Sequence, residues 1–153
     1  MILAIDPGTT ESGWVLFEGG KVEASGVDPN DDIVQWIRNG GMPGYVPFPR
    51  ALAIEMIASY GMPVGAEVFE TCVWIGRFVE SWRHFSAPAL IYRKDVKMHL
   101  CGTARAKDGN IRQALIDKLG APGTKKAPGP TYGVKSHAWA ALGVAVTALE
   151  RPA

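Results

Sequence analysis

The stretch ILAIDPGTTESGWVLF at residues 2–17 decides the fold. An apolar run over residues 1–5 ends on Asp6, and Pro7-Gly8 then forces a turn. A second strand is expected over residues 13–17 and a third over 21–27, with Glu18-Gly19-Gly20 as the hairpin between them. Acids between residues 28 and 32 suit the positive end of a helix dipole, and Ile33, Trp36 and Ile37 give that helix its buried stripe. Glycine and proline crowd residues 40–49, which read as a loop.

Further out, residues 51–57 form another apolar run, broken only by Glu55. A carboxylate inside a buried strand is costly unless something offsets its charge, so Glu55 calls for a functional reason. Residues 59–65 read as a loop that carries Tyr60 and Met62. The spacing predicts a long helix over residues 66–85, with Val68, Cys72, Ile75, Val79 and Trp82 on its inner face. Phe69, Val73, Trp74 and Phe78 add more apolar surface than one face hides. Phe69, Trp74 and Phe78 are therefore expected to meet a second copy of the chain. Trp36 and Trp82 read as core. A short strand is expected at 88–92, helices at 94–100 and 110–119, a loop at 120–133 and a last, largely apolar helix at 135–149.

These elements give one mixed five-stranded sheet with helices on both faces. At 153 residues the chain is read as a single domain over 1–153. No apolar run approaches the roughly 18 residues of a membrane span, and the start lacks a signal-like segment. A cytoplasmic protein without membrane contact is expected. Cys72 and Cys101 fit no metal-ligand spacing and read as small apolar residues.

A net charge of +1 hides an asymmetry: residues 93–135 hold ten of the 16 Lys/Arg and only three of the 15 acids. A one-sided basic surface suits a polyanion, although a solvated face is equally compatible with the charge run alone. Asp6 ends the first strand, Glu55 lies in the fourth, and His137 and Ala140 stand three residues apart at the start of the last helix. Positions three apart share a helical face.

In this ordered set the chain resembles the RuvC-type Holliday-junction resolvases, which are ribonuclease-H-like nucleases. The opening stretch resembles their first hairpin, LAIEMI (residues 52–57) their strand with the second acid, and SHAWAALGVAV (136–146) their last helix. The resemblance implies a structure-specific endonuclease that is a homodimer on four-way junction DNA, and a phage or bacterial source. It implies two Mg²⁺ ions, replaceable by Mn²⁺, with Asp6, Glu55 and His137 as ligands and His137 alternatively as a proton handler. It places DNA on the basic stretch, at Lys94, Lys97, Arg105, Lys107, Lys125, Lys126 and Lys135, and puts Tyr60 or Met62 at the junction centre as a wedge between bases. Position 140 departs from the family, which has Asp there. Ala140 cannot bind a metal, and Lys135 and Ser136 cannot replace the acid. The departure points first to an Asp→Ala change that lets uncut DNA be held, and second to a naturally inactive relative.

Two readings of another class stand beside this one. A module that binds branched DNA without cutting it fits Ala140. IDPGTT (residues 5–10) also resembles the first phosphate loop of sugar kinases and actin-like ATPases. That architecture needs two such domains, however, and gives Glu55 no role, so no nucleotide cofactor is expected. A ribonuclease-H-like nuclease acting on a different nucleic acid is a nearer rival.

Overall fold

The computed structural model describes residues 1–44, 48–84 and 86–151. Position 85, the expected end of the long helix, lies outside the described residues, as does part of the 40–49 loop. Ten elements follow in order: β1 (Ile2–Asp6), β2 (Glu11–Glu18), β3 (Lys21–Pro29), α1 (Asn30–Arg38), β4 (Ala51–Met56), α2 (Ala66–Ser81), β5 (Ala89–Tyr92), α3 (Arg93–Cys101), α4 (Asp108–Leu119) and α5 (Ala138–Glu150). The five strands form one sheet in the order β3-β2-β1-β4-β5. β1, β2 and β3 are antiparallel neighbours, whereas β4 runs parallel to β1 and β5 parallel to β4. This is the mixed five-stranded sheet expected from the sequence.

Alternation along the strands divides the core in two. Ile2, Ala4, Val15, Phe17 and Ala53 face α5, with Val96 of α3 and Ile111 and Leu115 of α4 behind it. Leu3, Ile5, Leu16, Leu52 and Ile54 face the other way, toward Ile33, Val34 and Ile37 of α1 and Ile75 and Phe78 of α2. Helices therefore cover both faces. α5 is apolar nearly all round because it is buried nearly all round, from Ala141 to Thr147. Among the described residues no helix is long and apolar enough to cross a membrane.

The inner face of α2 differs from the expected one. Its buried residues are Thr71, Ile75, Phe78 and Ser81, followed by Trp82 just past the helix, while Val68, Cys72 and Val79 are half-buried flanks. Thr71 and Ser81 tolerate this position because their hydroxyls donate to the carbonyls of Glu67 (2.8 Å) and Arg77 (2.7 Å) in their own helix. Phe78 is thus a core residue, 0% exposed, and not part of an outer face. Phe69 and Val73 are each 63% exposed, and Trp74 lies between the two environments. Trp82 is core as expected, and Trp36 packs partly buried against the same cluster. The last helix starts three residues later than expected, which leaves Lys135 and Ser136 in a turn.

Candidate active site

Two parallel strands bring the acids together. β1 pairs Ile5 with Ile54 of β4, so the next residue of each strand, Asp6 and Glu55, stand side by side. By alternation both project to the α5 side of the sheet. Their side chains are only 12% and 14% exposed. Burial raises the pKa of Asp6, against a hydrogen bond from Glu55 and the charge of Arg93. Glu55 is pushed up to about 8, first by burial and then by the charge of Asp6 and the hydrogen bond to it, with Arg93 opposing. In the free chain the two carboxyls are thus joined by a hydrogen bond.

The turn after Asp6 is tied down by a buried network. Asn30 donates through Nδ2 to the Gly8 carbonyl (2.9 Å), and its backbone N–H donates to Thr10 (2.9 Å). The Gly8 N–H donates to Ser12 Oγ (3.1 Å), whose hydroxyl donates to Asn30 Oδ1. Ser12 and Asn30 are almost wholly buried, so each polar atom needs these partners.

Across the turn, His137 Nδ1 lies 3.2 Å from Asp6 Oδ2. His137 caps α5 with helical backbone angles and is preceded by Ser136, a non-glycine residue at φ +50°. Such backbone is sparsely populated and collects at functional sites. The other non-glycine residue of this kind among those described is Tyr60 (φ +50°), in the loop that follows the Glu55 strand.

Asp6, residues 7–11, Arg93, Asp108, Ile111, Ser136, His137, Trp139 and Ala140 line one cleft of about 720 Å³. His137 and Ala140 thus open on the same space, as their spacing predicts. A shallower pocket continues from it past Arg112 and Lys135, and the Arg112 guanidinium lies 5.1 Å from the Trp139 ring.

From the sequence Arg93, Asp108 and Arg112 read only as members of the charge run, and Trp139 as part of an apolar helix; none is a site candidate there. Arg93 Nη1 donates to Glu55 Oε1 at 3.1 Å, and Nη2 pairs with Asp108. Tyr60 and Met62 are exposed (61% and 69%) but do not line the cleft. Lys94, Lys97, Arg105, Lys107, Lys125, Lys126 and Lys135 are all at least partly exposed, and among the described residues none of them forms an ion pair. Lys118 by contrast is held by Glu150 at 3.0 Å.

Two buried carboxyls that repel each other, with one guanidinium in partial compensation, suit a hard divalent cation that prefers carboxylate oxygen. A two-ion centre lacks donors: among the described residues no three Asp, Glu, His or Cys side chains converge at ligand spacing, and Ala140 presents a methyl group.

This strand order, with the last helix packed on the sheet, is a ribonuclease-H-like α/β fold, the fold of RuvC. The chain is similar to the structure of Thermus thermophilus RuvC, with 20% identity and a TM-score of 0.59 over 95% of this chain and 91% of that one. It is likewise similar to T. thermophilus RuvC in complex with Holliday junction substrate, with 21% identity and a TM-score of 0.58 over 95% and 90%. No protein-family model and no curated protein matches the sequence.

Proposed function

We propose that the chain is a metal-dependent endonuclease that binds four-way DNA junctions as a homodimer and nicks them symmetrically, and that Ala140 makes it slow. The observation that carries this reading is the buried pair Asp6–Glu55, with His137 on Asp6 and with Asp6 and His137 lining an open cleft. A phosphate loop of a nucleotide-binding protein has no use for Glu55 beside Asp6. The similar T. thermophilus structure was captured with a Holliday junction, which supports the choice of substrate. The unpaired Lys and Arg side chains beyond the cleft suit phosphate contacts.

Asp6 and Glu55 would hold Mg²⁺ or Mn²⁺, which polarises the phosphodiester and lowers the pKa of a bound water. Where His137 donates through Nδ1 to Asp6, its Nε2 would be free to accept a proton; at 69% exposure that ring is open to solvent and substrate. Burial of Asp6 and Glu55 restricts water around them, which strengthens their attraction for a cation. A last-helix carboxylate is missing from this set. A non-cleaving module for branched DNA is therefore the second reading, and Ala140 is the observation that favours it.

Gel-shift titration with a four-way junction and a duplex of equal length tests the substrate. Tighter binding of the junction, weakened by salt and by charge reversal at Lys97, Arg105 and Lys107, is expected. Equal affinity for both DNAs removes the junction from the proposal.

A further inference from the structure

We propose that Arg93 is a phosphate-binding residue of the cleft, and that this chain takes one divalent cation at Asp6 and Glu55 rather than two. The inference rests on the nuclease reading above and adds a residue and a stoichiometry to it.

Arg93 opens α3, directly after β5, the strand beside Glu55's own. Its guanidinium spans two acids from different elements, Glu55 of β4 and Asp108 at the first turn of α4. A guanidinium carries five N–H donors in a planar fork. Glu55 and Asp108 each engage one of its terminal nitrogens, so donors remain for a phosphate oxygen. The side chain lines the cleft and is about a third exposed, within reach of anything that enters. Bidentate pairing with phosphate is what arginine does better than lysine.

The donors lead to the stoichiometry. Asp6 and Glu55 offer carboxylate oxygens for one cation, and among the described residues no third Asp, Glu, His or Cys side chain converges with them at ligand spacing. An acid at position 140 would add the oxygen donors for a second ion; Ala140 adds none. Arg93 then supplies, as a fixed cation, part of the positive charge that a second ion would bring to the phosphate.

A purely structural clamp is the competing explanation, with Arg93 tying β4 to α4. Asp108 argues against it: its side chain is 84% exposed, where an ion pair contributes little to stability.

The test combines two measurements on the full chain. Mn²⁺ binding is counted by electron paramagnetic resonance, free and with a four-way junction on ice. Junction affinity is measured across a salt series. The expected result is one Mn²⁺ per chain, two in Ala140→Asp, and one still in Arg93→Gln. Arg93→Gln should weaken junction binding by about 10-fold or more and reduce the salt slope by about one. Arg93→Lys, which keeps the charge and loses the fork, should keep the slope and lose less affinity; it also serves should the Gln variant not fold. Two ions on the unaltered chain, or an unchanged slope and affinity in Arg93→Gln, overturns the inference and leaves the nuclease reading standing. No Mn²⁺ on either the unaltered chain or Ala140→Asp overturns both.

Discussion

Gly13 of β2 is pressed against the backbone of His137: a Cβ at position 13 would lie 2.5 Å from the His137 carbonyl carbon and oxygen and 2.8 Å from its Cβ. Gly13 is also the register partner of Asp6. The strand that flanks the first acid is therefore bare where the histidine must approach it.

Gly13→Ala should accordingly push the His137 backbone away from Asp6. Nothing flexible can yield, since two of the three nearest atoms are main chain. Overpacking of this kind costs about 1–3 kcal/mol. Denaturant unfolding should show that loss, and the His137 ring resonances should lose their dependence on Asp6. A variant as stable as the parent, with those resonances unmoved, contradicts the packing described.

The raised pKa of Glu55 has a defined sign in stability. A carboxyl whose folded pKa lies above its unfolded value favours the folded chain at low pH, and this contribution is lost as pH rises from about 4.5 to about 8. Without divalent ions, Glu55→Gln should match the parent near pH 4 and melt higher than the parent at pH 9, by on the order of 5 °C. A melting difference that is flat across this range would place Glu55 in water.

The exposed side of α2 is expected to form the dimer, with the membership corrected. Phe69 and Val73 are on the surface and Phe78 is not. Phe69→Asp and Val73→Asp together should leave the fold intact and convert a dimer to a monomer in sedimentation, whereas Phe78→Asp should unfold the chain. A parent chain that sediments only as monomer at micromolar concentration removes the dimer.

Much of the fold and part of the site were legible in the sequence, for physical reasons. Asp6 stands out because Pro7-Gly8 stops the strand behind it, and Glu55 because nothing around it in a buried strand excuses a charge. Their pairing follows once β1 and β4 are parallel. Position 78 reads as part of an outer face because Thr71 and Ser81 look polar in sequence, yet they satisfy their hydroxyls within α2 and sit on the inner stripe with it. Arg93 and Asp108 were hidden differently. They come from separate helices and look like members of a solvated charge run, and only the packing of α3 and α4 on α5 carries them to the cleft.

The central claim is that Asp6, Glu55 and His137 form a nuclease site that lacks one acid. Mg²⁺-dependent nicking of a four-way junction by the parent chain and by Ala140→Asp tests it most directly, with Asp6→Asn and Glu55→Gln added to the restored chain as controls. The predicted result is a rise in nicking rate by more than about 100-fold in Ala140→Asp, the upper end for losing even an indirect metal contact, and its abolition by either control. A restored chain that stays inert with Mg²⁺ and Mn²⁺ on several junction sequences contradicts the nuclease account, and a parent chain that already cuts as fast as Ala140→Asp contradicts the role given to position 140.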